Sequence, residues 1–269
     1  MSEARSAAGT TRSDELLVHR DDHGVVTLTL NRPRVKNAIG LTMWGELRRI
    51  FHEITLDESD RVLVITGAGG AFCTGADLGG GLATGGHPLN AMQPVNAAAL
   101  ALHELSVPSI AKVGGDAVGA GMNLALGCDL IVAGESARFS EIFSRRALSV
   151  DFGGTWLLPR LVGMHKAKEL ALFAEVISAR EAERIGIVNR VVSDDELDDF
   201  VADWALRLAK GPPLALQMTK RMLSNAFSSS FAEALTAEAA AQTINFGSAD
   251  TREGVNAFVE KRAPVFRGC

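Results

Sequence analysis

The sequence predicts an α/β fold with mostly parallel strands, extended at its C-terminal end by a region that is helical throughout. Two observations carry this. Apolar strand-like runs alternate with helical patterns over the first two thirds of the chain, an order that a largely parallel sheet produces; from about residue 196 the strand-like runs stop. In chain order, "VVTLTL" (25–30) reads as a strand, "LTMWGELRRIFHEIT" (41–55) as a helix and "RVLVITG" (61–67) as a strand. "NAMQPVNAAALALHEL" (90–105) follows as a helix, then "PSIAKVGG" (108–115) as a strand, "GAGMNLALGC" (119–128) as a helix and "DLIVAG" (129–134) as a strand. The Ala-rich stretches "ELDDFVADWALRLAK", "PPLALQMTKRMLSNAF" and "SFAEALTAEAAAQTINF" are the C-terminal helices. The expected organisation is a disordered tail over residues 1–14, a strand-bearing core over 15–195 and a helical region over 196–269.

Composition narrows the function classes. The 269 residues suffice to bury a large core, and the net charge of −5 argues against a broad nucleic-acid face. An anionic ligand would need a local basic cluster instead. Cys73, Cys128 and Cys269 form no CxxC pair and are odd in number, which speaks against a disulfide framework or a structural zinc site and for a reducing compartment. The polar N-terminus carries no apolar signal core, and no apolar run reaches the roughly 20 residues needed to cross a bilayer. The expectation is a cytoplasmic protein with no nucleic-acid, membrane or metal partner.

The segment "VLVITGAGGAFCTGADL" (62–78) runs a strand into a glycine loop. It lacks the third glycine of a dinucleotide fingerprint, where Phe72 stands, and the lysine of a triphosphate loop, where Ala76 stands. G-x-S-x-G and H-E-x-x-H are absent, the six histidines are scattered, and without a tyrosine the proton donor of the short-chain dehydrogenases is excluded. A second glycine loop, "GGDAVGAGMNLALGCD" (114–129), places Gly119, Ala120 and Gly121 at the start of a helix, whose first N–H groups have no intrahelical partner. Two N–H groups, one from each loop, can converge on one oxygen as an oxyanion hole. The alternative is a pair of tight turns. "GGGLATGGHP" (79–88) is a candidate flap or a plain solvent loop.

Six segments in order carry a family resemblance: "VTLTLNRPRVKNAI" (26–39), "GAFCTGADL" (70–78), "GDAVGAGMNLALGCDLIVAGESARF" (115–139), "DFGGTWLLPRLVG" (151–163), "EAERIGIVNRVV" (181–192) and "TREGVNAFVEKRAPVF" (251–266). Together they resemble the crotonase, or enoyl-CoA hydratase/isomerase, superfamily over about residues 15–268. The resemblance implies a spiral of ββα units, a C-terminal helical region that builds a homotrimer or a hexamer, and an acyl-CoA thioester as substrate. CoA is then part of the substrate, and no separate cofactor is expected. It also implies that the N–H groups of Ala76 and Ala120 form the oxyanion hole. Contacts to substrate are implied for Arg34, Val35, Lys36, Ala38, Asp77, Leu78 and Gly121, and for Phe258 and Lys261 of a neighbouring subunit. The competing reading of each Lys or Arg is a solvated surface charge.

The chain departs from the hydratase pattern where that pattern places two glutamates, because Asn123 and Phe143 stand there. Asparagine can orient a group but exchanges no proton near neutral pH, and phenylalanine does neither. Glu141 is two residues from the second site and is read as a different location. One carboxylate, Asp151 in "SVDFGGTW", stands where several isomerase branches of the superfamily hold the aspartate that moves protons, with Val150 replacing their proline. In an apolar pocket walled by Phe143 and Trp156, burial would raise its pKa toward the range useful for proton exchange. The alternative role of Asp151 is a helix N-cap before "GGTWLLPRL". The expected activity is double-bond isomerisation of an enoyl-CoA by a single Asp shuttle. Hydration with altered water handling is the alternative within the family, and a non-catalytic CoA-thioester-binding oligomer the alternative outside it.

Overall fold

The computed structural model describes residues 14–80 and 88–269. The tail expected over residues 1–14 and the candidate flap at 79–88 therefore fall almost wholly outside the described residues. A six-stranded sheet forms the centre, in the order β1 (Leu16–Arg20), β2 (Val25–Leu30), β3 (Val62–Gly67), β4 (Ser109–Val113), β6 (Leu130–Gly134) and β9 (Arg190–Val192). Only β1–β2 pair antiparallel; the other neighbours are parallel. β2 buries Val26, Leu28 and Leu30 and leaves the residues between them half-buried, the period-two pattern of a strand with one fully covered face. β3 is buried on both faces, which is why it reads as an unbroken apolar run.

A second, three-stranded sheet contains β5 (Asp116–Val118), β7 (Arg138–Ser140) and β8 (Ile177–Ser178). Here the spiral becomes visible. β4 enters the large sheet, β5 the small one, and α3 (Ala120–Leu126) follows; β6, β7 and α4 (Gly154–Val162) repeat the sequence one step on. The preceding turn of the spiral is β3, then Cys73, which bridges Ala117 of β5 in parallel, then α2 (Pro88–His103). Two units thus contribute one strand to each sheet and then a helix, and the unit before them replaces its second strand by a single bridge, as expected for a spiral of ββα units. The strands of the small sheet have two or three residues each and carry no periodicity that a sequence reading can use.

The inner face of the large sheet packs on α1 (Leu41–Leu56), α2 and α3, with Leu28, Leu30, Met43, Leu47, Phe51, Ile65 and Leu102 in one cluster. The outer face carries Val62, Val64, Ile110 and Val132, covered by Leu197, Val201, Ala205 and Ala209 of α7 (Leu197–Ala209). α7 lies within the stretch grouped in sequence with the C-terminal helices, yet in space it is the outer layer of the core. An apolar strand buried on both faces needs that second layer. α8 (Pro213–Asn225), α9 (Phe231–Gly247) and α10 (Ala249–Glu260) follow it. α8 buries no residue and α9 only Ala241, while Phe227, Phe231, Phe246, Phe258 and Val259 stand exposed.

Gly45 lies exposed within α1, and a β-carbon there would meet open space. Gly45→Ala is expected to raise stability by about 0.5–1 kcal/mol, because glycine loses more backbone entropy on folding than alanine. A higher urea midpoint at unchanged slope checks this.

Candidate active site

The first glycine loop is held from below by Asn37, which is buried at φ 57°. Its Nδ2 donates to the carbonyls of Ala68 and Ala71 at 2.8 Å each, and its Oδ1 accepts from the Arg32 N–H at 2.9 Å. Arg32 in turn reaches Asp77 at 2.9 Å and the Ala38 carbonyl at 2.7 Å. These contacts fasten residues 32–38 to the loop at 68–77. The next step is a parallel bridge in which the Ile39 N–H donates to Gly75 O at 2.8 Å and the Asp77 N–H donates to Ile39 O at 2.9 Å. Ile39 thus engages the groups on either side of Ala76, so Ala76, itself exposed, turns its own N–H to the opposite side.

That side faces the start of α3. A β-carbon on Gly75 would lie 3.2 Å from the Ala120 nitrogen. The first intrahelical bond runs from Asn123 N–H to Gly119 O at 3.0 Å, so the N–H groups of Ala120, Gly121 and Met122 lie in the unpaired first turn. The two backbones touch closely here, since a β-carbon on Gly121 would fall 2.2 Å from the Cys73 carbonyl oxygen. Burial pushes the Cys73 thiol up to about 12, so the sulfur in this loop is no nucleophile.

Three polar residues, Asn123, Glu141 and Asp151, lie together beside this junction, joined through the Asn123 amide. Asn123, fully buried, donates from Nδ2 to the Asp151 carbonyl at 2.9 Å and toward Glu141 Oε2 at 3.4 Å. Glu141, 1% exposed, follows β7, and Asp151 precedes α4. Asn123 Oδ1, Glu141 Oε1 and Asp151 Oδ1 are buried without a hydrogen-bond partner among the described residues. Burial raises the Asp151 carboxyl to about 6. Burial raises Glu141 further, to about 8; the Asn123 hydrogen bond opposes this, and the Asp151 charge adds to it. Gly154 completes the arrangement, because a β-carbon there would fall 2.4 Å from both terminal atoms of Asn123.

The alternative of Asp151 as a side-chain cap does not hold. The N-cap of α4 is Gly153 and makes no side-chain bond; the Asp151 group that accepts the Gly154 N–H, at 3.0 Å, is its backbone carbonyl. Phe143 is buried in a 3-10 turn (Ile142–Arg146), and a β-carbon on Gly119 would sit 3.7 Å from its ring. Trp156 stands in the first turn of α4. Its ring meets His103 edge-on at 5.2 Å and carries the Arg160 guanidinium 3.7 Å over its face, and it lines a cavity of about 450 Å³ with Leu100 and Phe152.

Arg34, Val35 and Lys36 are exposed on a 3-10 turn (Pro33–Val35) and the residue after it, with Lys36 Nζ 2.8 Å from Asp116. Ala38 is buried beside them, and Leu78 is exposed after the first loop. Phe258, 85% exposed, and Lys261 stand on and just after α10, which packs on α9. Among the described residues no group of three or more His, Cys, Asp or Glu could hold a metal ion, and no helix is long and apolar enough to cross a membrane.

Glu141 is the site residue that the sequence reading sets aside. Phe139, Glu141 and Phe143 are all buried at a spacing of two, across the passage from β7 into the 3-10 turn. A carboxylate flanked in this way by two phenylalanines is the available signal.

Comparison with known proteins agrees with this architecture. Residues 20–269 match a family model described as enoyl-CoA hydratase/isomerase. A Rhodobacter capsulatus protein named "Probable enoyl-CoA hydratase" is 41% identical over 91% of this chain and 95% of its own length. The Escherichia coli 1,2-epoxyphenylacetyl-CoA isomerase is 38% identical over 94% of this chain and 99% of its own. Among solved structures, an enoyl-CoA hydratase from Bacillus anthracis superposes with a TM-score of 0.91 at 33% identity, covering 95% of this chain and all of that one.

Proposed function

The chain belongs to the enoyl-CoA hydratase/isomerase family, and on that premise we propose that it moves the double bond of an enoyl-CoA by a proton shuttle through Asp151. The observation that carries this reading is a buried carboxyl at Asp151, raised to about 6 and with one oxygen unpartnered, beside an asparagine and a phenylalanine where two glutamates would handle water. The thioester carbonyl accepts from the N–H groups of Ala76 and Ala120, which stabilise the oxyanion of the enolate. Asp151, ionised at neutral pH, takes the proton from one end of the allylic system and returns it at the other. The double bond shifts, and neither water nor an electron acceptor is consumed.

The remaining parts follow from the family premise. Arg34 and Lys36 meet the phosphates of the nucleotide end of CoA, with Val35, Ala38, Asp77, Leu78 and Gly121 along the path to the reacting carbon. The exposed phenylalanines of the C-terminal helices are covered in a homotrimer or hexamer, which brings Phe258 and Lys261 to a neighbouring subunit's substrate. CoA enters as part of the substrate, without a separate cofactor, and the unpaired cysteines fit a cytoplasmic setting.

A second reading, hydration, is favoured by one observation. Asn123 Oδ1, Glu141 Oε1 and Asp151 Oδ1 are buried, unpartnered acceptors, and a water donating to two of them would lie where hydration needs it. Incubation of the purified protein in heavy water with a 3-enoyl-CoA and, separately, a 2-enoyl-CoA, read by mass spectrometry, tests both. Bond migration or deuterium uptake without the mass of water is expected. Rapid formation of 3-hydroxyacyl-CoA would replace isomerisation with hydration.

A further inference from the structure

Hydrogen-bond accounting at the site leaves a deficit of donors. Both N–H groups of Asn123 are directed, one at the Asp151 carbonyl and the other toward Glu141 Oε2. A carbonyl can only accept, which fixes the end of the amide that faces it. Three buried oxygens are left over: Asn123 Oδ1, Glu141 Oε1 and Asp151 Oδ1. With both carboxyls ionised, every one of these atoms would be an acceptor without a donor, and two like charges would share one low-dielectric space. A single proton on one carboxyl supplies one donor and removes the repulsion, leaving one of the three oxygens to accept from water or substrate. Burial selects which carboxyl keeps it, since Glu141 is buried and Asp151 half-buried.

We propose that Glu141 is a positioning residue for the proton shuttle: it keeps its proton, donates it into the cluster of Asn123 and Asp151, and thereby holds Asp151 ionised and oriented as the base. This rests on the reading of Asp151 as that base. It assigns a role to a position other than the two at which the hydratase pattern places glutamates, which are Asn123 and Phe143 here.

The surroundings of Glu141 leave Asp151 as the charge that acts on it. α3 contributes Asn123 and contains no ionisable residue. Arg145 and Arg146 of the 3-10 turn are exposed. Of the charged residues on α5 (Met164–Phe173), which packs on that turn, Lys166 pairs with Glu169, and His165 and Lys168 are exposed. β8 has no ionisable residue; on β5, Asp116 pairs with Lys36; on α6 (Ala179–Arg184), Arg184 pairs with Glu181 and Arg180 with Glu183.

The pH dependence follows with a definite sign. Activity rises as Asp151 loses its proton near pH 6 and falls as Glu141 loses its own near pH 8, because the second ionisation removes the donor and sets a like charge beside the base. Glu141→Gln keeps a donor of the same shape that cannot ionise. Its kcat profile is expected to lose the alkaline fall, with a smaller loss at pH 7 than that of Glu141→Leu. Glu141→Leu removes the donor and is expected to lower kcat by about 10- to 100-fold with KM little changed, the effect of losing one hydrogen bond to a charged group. An alkaline fall that survives in Glu141→Gln, its absence from the parent protein, or full kcat in Glu141→Leu overturns the proposal.

A measurement independent of turnover separates this from the functional reading. Carbon-13 NMR of the full chain, labelled at the Glu and Asp carboxyls, is expected to show Glu141 titrating above pH 7 and moving downward in Asp151→Asn. Titration of Glu141 in the ordinary carboxylate range overturns the positioning role even if the protein isomerises enoyl-CoA. Absence of turnover with Glu141 titrating above neutrality would instead overturn the assignment of Asp151.

Discussion

Asp151→Asn is expected to reduce kcat by about 10²- to 10⁴-fold, the range that a positioned acid/base group contributes, while binding of a CoA thioester stays unchanged. The amide has the size of the carboxyl but cannot take up or return a proton near neutral pH. The fold around it should persist, because the structural contacts at this position are made by the backbone. The Asp151 carbonyl accepts from Asn123 Nδ2 and from the Gly154 N–H, and both bonds survive the substitution. Binding is expected to persist because the proposed carbonyl grip is made by main-chain groups of Ala76 and Ala120. Single-turnover rates with an enoyl-CoA, set beside calorimetric affinity for a non-reacting acyl-CoA, measure the two effects separately. Retained turnover would remove Asp151 from the chemistry; lost affinity would make it a binding residue.

Gly121→Ala is expected to impair both stability and rate, by a different route. The added carbon would fall 2.2 Å from the Cys73 carbonyl oxygen and 2.6 Å from the carbonyl carbon, both backbone atoms that cannot rotate out of the way. Cys73 is itself fixed to β5, accepting from Val118 N–H at 2.9 Å and donating to Asp116 O at 3.0 Å. Relief therefore requires the start of α3 to move away from the first loop. Overpacking of this kind costs about 1–3 kcal/mol, and misplacing one oxyanion donor costs about 10²- to 10³-fold in kcat. A lowered melting temperature together with a lowered kcat is the expected pair of results. Full kcat at reduced stability would show that the junction of the loops is structural and the carbonyl is held elsewhere.

The sequence shows most clearly those elements whose environment repeats along the chain. β3 reads as a strand because both of its faces are buried, and α1 as a helix because Met43, Leu47, Ile50 and Ile54 recur on one side. β5, β7 and β8 escape because two or three residues cannot establish a period. The same limit hides Glu141. It stands two positions before Phe143 in the chain, but where the strand of β7 gives way to the 3-10 turn both side chains are buried. The contacts of Trp156 join α4 to α2 through His103 and stay within α4 through Arg160, and the pairing across helices has no mark in the local sequence. The placement of α7 depends on a partner surface made by strands far apart in the chain, which no local pattern of its own reveals.

The bridge at Ile39 and Ala76 has a consequence for how such a protein can change over time. A carbonyl gripped by main-chain groups is encoded by the path of two loops, and a substitution at Ala76 or Ala120 that keeps the path leaves the grip in place. Positions 141, 143 and 151 carry their proposed roles in the side chain and lie outside that main-chain grip. On the proposed function, the substrate handle is inherited with the fold, and the reaction performed on it is open to change by a few exchanges at those positions.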